Sequence, residues 1–314
     1  MIEKPTIKES VLFSTYNCVL FMIKIMPNWM ISQVAKLLCF CGRPFIGRDV
    51  KILRDNLEQI RHMPKGSAAA EKFEKQTFFN HTCSALETLK FSCFPKSLQV
   101  DGKEELAVML ESAKKSGKGC LVLTGHLGSW ESISWFVSRM TSAKCYALAR
   151  RSSCSALNRF LVKMRGRLGV KIFMVDRPLI LRDMVKTLRR GDYLGVVMDQ
   201  RPSGGRSTTV DFLGRKTDFV SGPAIAALIA KAPVYATFLV RKGPMHYEMI
   251  ANEVVPAGHG ITDVNELTQL MATAIERVIN LYPEQWTWHY NRWKDSPKIM
   301  EDPRSISNEN PVVV

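Results

Sequence analysis

A chain of 314 residues, 46% hydrophobic and 23% charged, is ordinary for a globular protein and long enough to bury a sizeable core. Its 44 Lys/Arg against 29 Asp/Glu give a net charge of +15, which points to an anionic partner: nucleic acid, an acidic protein or an anionic membrane face. Eight cysteines without a CxxC pair, in a chain lacking a secretory signal, argue against both a disulfide framework and a zinc site.

The first element is the apolar stretch "SVLFSTYNCVLFMI" (10–23), 14 residues bounded by Glu9 and Lys24, after which apolar character resumes as "IMPNWMISQVAKLLCF". A spanning helix wants about 20 apolar residues, and shorter ones are more often interfacial or buried. No small-residue cleavage site follows, which argues against a removed signal peptide. Snorkelling of Lys24 with Trp29 at headgroup level suits a membrane anchor, a short span or an in-plane helix. The alternative is a helix packed on the body of the protein.

Residues 48–94 read as two helices. Val50, Leu53, Leu57 and Ile60 form an apolar stripe, Pro64-Lys65-Gly66 breaks it, and Ser67 suits the N-cap of the second helix. From residue 100 short apolar runs alternate with helical stretches. Strands are expected at 120–124, 145–149, 171–175 and 193–198, with helices at 130–140, 155–167 and 178–190. An irregular loop follows Gly204-Gly205, and Gly222-Pro223 opens a helix to about residue 230. A hairpin of 234–241 with 246–252 and a helix over 264–281 complete the pattern. Such alternation predicts an α/β fold, a mostly parallel central sheet flanked by helices.

Within this frame "TGHLGSWES" (124–132) leaves a strand at its carboxyl end, where open α/β sheets place their sites. His126 in the loop and Glu131 in the first turn of the next helix can turn toward each other. A carboxylate there fixes the imidazole tautomer and raises its basicity, and free N–H groups at the helix start suit a developing oxyanion. The plainer reading is a capped helix whose Glu favours the N-terminal dipole. Metal chemistry has no support, because the other histidines (62, 81, 246, 259, 289) form no ligand-spaced cluster. No phosphate-binding glycine loop and no G-x-S-x-G elbow is present.

Three further stretches stand out. Residues 150–216 hold 16 Lys/Arg against 5 Asp, including a basic amphipathic helix with Arg159, Lys163 and Arg167 on one face and Arg165 on another. That helix is either a solvated face or a phosphate-binding one. "MDQRPSGGRSTTVDFLGRK" (198–216) leaves a strand through Asp199 into a polar, glycine-rich loop. "PEQWTWHYNRWK" (283–294) puts Trp286, Tyr290 and Trp293 on one helical face, more suggestive of core or interface than of a site.

The ordered set "GHLGSWE", "NRFLVKMRGRLGVKIF", "MDQ" with "VDFLGRK…GPA", and "PEQWTWHYNRWK" resembles the late acyltransferases of lipid A biosynthesis, within the wider H-x4-D/E lysophospholipid acyltransferase group. The resemblance covers about residues 10–295. It implies acyl transfer from an acyl thioester, carried by acyl carrier protein or CoA, to a hydroxyl of an anionic glycolipid at the cytoplasmic face of the inner membrane. It puts the catalytic pair on His126 and Glu131, and substrate contacts on Arg150, Arg159, Arg165 and Asp199. No cofactor, metal or nucleic acid is implied. The expected organisation is N-terminal anchoring helices over 1–47, the α/β domain over 48–298 and a loose tail over 299–314. A lysophospholipid acceptor, or a non-catalytic basic protein binding membrane or nucleic acid, are the competing readings; the second leaves the His/Glu pair idle, and no helix-turn-helix, zinc-finger or RRM signature supports it.

Overall fold

The computed structural model describes residues 6–202 and 204–294; the proposed tail at 299–314 lies outside them. Its centre is a seven-stranded sheet of order β1 (Gln99–Asp101), β9 (His246–Val255), β8 (Val234–Gly243), β2 (Leu121–Thr124), β5 (Tyr193–Val197), β3 (Cys145–Ala149) and β4 (Val170–Met174). Only β8 and β9 pair antiparallel, so the mostly parallel sheet expected from the alternation is present. All four residues of β2 are buried, as a parallel strand covered on both faces requires. The crossovers carry α6 (Trp130–Met140), α7 (Ser155–Arg167), α8 (Ile180–Arg189) and α9 (Gly222–Ala230), and α5 (Lys103–Lys115) and α10 (Val264–Leu281) complete the layers.

Strand order decides where a site can form. The chain leaves β2 toward β3 on one side, and leaves β5 toward β8 on the other, although β2 and β5 are neighbours. The two connections pass each other on opposite faces of the sheet, α6 joining one core cluster and α9 the other, and leave a crevice above the carboxyl ends of these strands.

Two stretches fold differently from expectation. The loop after Gly204-Gly205 contains an antiparallel ribbon, β6 (Ser207–Phe212) with β7 (Arg215–Val220), fastened to α10 where Leu213 N–H donates to Glu276 at 2.9 Å. Leu213 and Gly214 both take positive φ (53° and 75°), the backbone of a two-residue hairpin turn whose twist matches its strands. Residues 283–294 form no helix: a short 3₁₀ turn, Pro283–Gln285, leads into turns and extended chain. The spacing of Trp286, Tyr290 and Trp293 suits a helix, but Trp286 and Trp293 are instead buried with Trp288 in the core.

The N-terminal region forms α1 (Ile7–Ile25) and α2 (Asn28–Gly42), followed by α3 (Gly47–Arg61) and α4 (Ala68–Cys93). Thr6 and Glu9 make a reciprocal capping box at the start of α1, and Ser67 caps α4 by accepting from the Ala70 N–H. Leu20 and Ile23 of α1 and Ile31 and Ala35 of α2 are buried, and Tyr16 meets Phe160 of α7 with ring centroids 5.5 Å apart. The opposite faces expose Val11, Phe21, Met22 and Ile25, then Trp29, Leu37 and Phe40. Among the described residues no helix is long and apolar enough to cross a membrane. The helices therefore pack on the body, as the second alternative has it, and present an apolar surface outward.

Candidate active site

Parallel register builds the centre of the site. Thr124 of β2 pairs with Val197 of β5, and two residues beyond each lie His126 and Asp199. Equal overshoot from paired strands brings the two side by side although 73 positions separate them. His126 Nδ1 lies 2.6 Å from Asp199 Oδ1, and the His126 backbone N–H donates to Oδ2 at 2.7 Å. The Trp286 indole N–H donates to the same Oδ2 at 2.7 Å. A carboxylate accepting from Nδ1–H leaves the lone pair on Nε2, the state a general base needs.

Close approach explains the glycines of the motif. A Cβ at Gly125 would sit 3.2 Å from Asp199 Oδ2 and from Ile275 Cγ2, so a side chain there would push into the carboxylate. Gly128 adopts φ 58°, and its Cβ would fall 1.9 Å from the Leu239 carbonyl oxygen. Neither contact could relax without moving backbone or the buried acid. The amides of Leu127, Gly128, Ser129 and Ser132 already donate to carbonyls, leaving Trp130 and Glu131 as the oxyanion candidates at the start of α6.

Glu131 is not the carboxylate that orients His126. It accepts instead from Arg165 of α7, Nε to Oε2 at 2.9 Å and Nη2 to Oε1 at 2.5 Å, a bidentate pair with both side chains about one-fifth exposed. Its charge still favours the imidazolium through space. Arg165 therefore reaches the site, whereas Arg150 is solvent-exposed and Arg159 lies over Phe13 of α1 with its guanidinium 5.2 Å from the ring centroid.

Opposing influences set the charge states. Burial opposes protonation of His126 most strongly, but the Asp199 charge and hydrogen bond, helped by Glu131, raise its pKa above the ordinary imidazole value. Burial likewise opposes ionisation of Asp199, yet His126 and the Trp286 indole hold its pKa below the usual carboxylate range. Two other imidazoles flank the pair. Burial pushes His81 down to about 4, and it lowers His289, which meets His81 edge-on at 5.1 Å. Both stay neutral where His126 can still take up a proton.

Trp286 and Arg292 are site-building residues that the sequence reading missed. Arg292 is buried, its guanidinium 4.5 Å from the Phe219 ring centroid, and it donates to Thr217 Oγ1 at 3.1 Å and the Asp218 carbonyl at 2.6 Å. It thereby pins the C-terminal segment to β7 and keeps Trp286 on Asp199. The aromatic density of 283–294 was the available signal, but not its target.

Beside this cluster, a narrow, partly open apolar cavity runs between the sheet and the helices α6 and α7. Trp130, Glu131, Arg165, Thr124 and Val197 line its end nearest the crevice; Cys145, Val170 and Tyr193, at the beginnings of their strands, line the other. Trp130 also meets His126, their ring centroids 5.1 Å apart, so cavity and base are contiguous.

Residues 4–295 match the family described as bacterial lipid A biosynthesis acyltransferase. The chain is 26% identical over 287 residues to the lipid A biosynthesis palmitoleoyltransferase of Escherichia coli (strain K12), covering 86% of this chain and 89% of that protein. It is similar to the same extent to the lipid A biosynthesis acyltransferase of Shigella flexneri. With an acid-supported histidine at the sheet's switch point, an adjoining apolar cavity and a family match over nearly its whole length, this chain belongs to the bacterial lipid A biosynthesis acyltransferases.

Proposed function

We propose that this acyltransferase moves a fatty acyl group from an acyl thioester to a hydroxyl of a lipid A precursor at the cytoplasmic face of the inner membrane. The observation that carries the reading is the contiguity of a carboxylate-held imidazole with an apolar cavity at whose crevice end the Glu131–Arg165 pair stands. His126 Nε2 takes the proton of the acceptor hydroxyl as its oxygen attacks the thioester carbonyl. A C–O bond forms, the oxyanion is met by the Trp130 and Glu131 amides and by Arg165, and the C–S bond then breaks. The imidazolium returns its proton to the departing thiolate. No covalent acyl-enzyme is needed, in keeping with the absent nucleophile elbow.

The acyl chain occupies the cavity. The exposed apolar faces of α1 and α2 lie in the membrane interface, with Lys24 and Trp29 at headgroup level. The basic stretch around Arg150, Arg159 and Arg165 suits anionic acceptor and acidic acyl carrier protein alike.

Release of free thiol from acyl-acyl carrier protein and from acyl-CoA, with and without acceptor, tests the reading. Thiol release coupled to acylation of a lipid A precursor is the expected result. Acylation of lysophospholipid in its place would identify the lysophospholipid reading, and no transfer from either donor would remove the enzymatic one. The cavity gives a second expected outcome. Gly195 lines it, and a Cβ there meets only ordinary contacts, the nearest 3.5 Å away at the Tyr146 carbonyl. Gly195→Leu should therefore fold and shift donor preference toward chains several carbons shorter, measured by competition among donors. An unaltered preference would exclude this cavity as the acyl site.

A further inference from the structure

A groove between α2 and α4, away from the crevice, has no part in the mechanism. Lys36 and Cys39 line it from α2, and Lys72, Lys75, Gln76 and Phe79 from α4, with Glu71 at one side. Lys72, Lys75, Gln76 and Phe79 follow the three- and four-residue spacing that puts them on one face of α4. All three lysines are exposed, and none is drawn into an ion pair among the described residues. Three cations against one carboxylate make the groove electropositive.

Its neighbourhood says what kind of anion it meets. On α2, Trp29, Gln33, Lys36 and Phe40 fall at i, i+4, i+7 and i+11, one continuous stripe. Trp29 is 68% and Phe40 81% exposed, so Lys36 stands between two large apolar side chains that none of the described residues covers. A lysine between exposed aromatic residues is the arrangement of a helix lying in a bilayer interface: the rings enter the headgroup boundary and the ammonium meets phosphate. Cys39, the side chain on the groove flank of this stripe, is anchored toward α4 with its sulfur 3.4 Å from Thr82 Oγ1, which fixes the two helices at the groove.

From this geometry we infer that the α2–α4 groove seats the phosphate of an anionic phospholipid of the bilayer, held by Lys36, Lys72 and Lys75 while the lipid's chains run beside Trp29 and Phe40. The site rests on the membrane-facing reading of α1 and α2 and adds to it a choice of headgroup. Lysines rather than arginines suit it, since a phosphate at a wet, open groove needs point charge more than a bidentate fork.

Vesicle flotation of the full chain at low salt tests both layers separately. Wild type should partition about tenfold more strongly into phosphatidylcholine vesicles containing one-quarter phosphatidylglycerol than into pure phosphatidylcholine. Lys36→Gln/Lys72→Gln/Lys75→Gln should bring the two partitions to within about twofold of each other while leaving binding to pure phosphatidylcholine unchanged. Lys114→Gln/Lys115→Gln/Lys118→Gln on and after α5, with the same change in net charge, should keep the preference. Retention of the full preference by the groove variant, or equal loss in both triple variants, overturns the site. Preference for vesicles carrying phosphorylated disaccharide lipid, with none for phosphatidylglycerol, overturns its assignment to bilayer phospholipid. Failure to bind pure phosphatidylcholine at all would remove the membrane-facing reading itself. Turnover is not the readout, so failure here is distinguishable from failure of the acyltransferase chemistry.

Discussion

His126→Ala should lower acyl transfer by about 10³-fold or more with little change in fold, the scale on which a positioned general base contributes, equivalent to about 4 kcal/mol of barrier. The side chain is 22% exposed and packs on Trp130 at the crevice rather than within either hydrophobic core cluster. The backbone amide of residue 126 survives the change, and with the Trp286 indole it still gives Asp199 two of its three donors. Circular dichroism and thermal unfolding should therefore overlay those of wild type while thiol release falls to background. The distinction from a binding defect lies in the kinetic split. The base acts on the proton in flight, so kcat should fall with KM for donor little altered. A folded His126→Ala protein with near-normal kcat would remove His126 from the chemistry and, with it, the mechanism proposed for the crevice.

The legibility of this site in the sequence divides along a physical line. Local signals read well: the limits of α6, β3, α7 and α10 follow from apolar periodicity and capping, because those forces act within a few residues. His126 was identifiable because it follows an apolar run through glycine at the carboxyl end of a strand. What sequence could not supply was strand order. Near neighbours alone offer Glu131 as the partner of His126, and Asp199 becomes the partner only when β5 inserts between β2 and β3. Once Asp199 holds Nδ1, Glu131 is released to Arg165, a contact made by the packing of α6 near α7 and absent from any local pattern. Periodicity misled at 283–294, where a coincidental helical spacing of aromatics concealed a turn-rich segment whose Trp286 serves the buried acid. The β6–β7 ribbon did leave a trace, Val210 and Phe212 and then Thr217 and Phe219 alternating with Asp211, Lys216 and Asp218, but its Leu213-Gly214 turn puts a leucine at positive φ where asparagine or glycine would have advertised a hairpin.

Asp199→Asn should be nearly as damaging as loss of the base, and its pH profile carries more information than its rate. The amide conserves shape and leaves Trp286 an acceptor, but it no longer fixes the proton on Nδ1 or stabilises the imidazolium that forms as the acceptor hydroxyl is deprotonated. On the scale of a positioned general base, turnover should fall by about 10³-fold. On the proposed mechanism His126 must be neutral to act, so activity in wild type should rise with pH through a pKa lying above the ordinary imidazole value. Burial alone would lower that pKa, and Asp199 is what reverses the sign; in the asparagine variant the remaining burial should draw the activity limb to lower pH. Glu131→Gln makes the informative contrast. It breaks a charged bidentate pair at the cavity's crevice end and leaves Nδ1 of His126 on Asp199, so donor KM should rise while the limb moves acidward only slightly, by loss of a through-space charge. Stability obeys the same linkage: Asp199's depressed pKa contributes stability that is present above the ordinary carboxyl range and lost as pH falls through the folded value, and Asp199→Asn should flatten that acid limb of thermal unfolding. An acidward shift larger in Glu131→Gln than in Asp199→Asn would reverse the assignment and return the orienting role to Glu131.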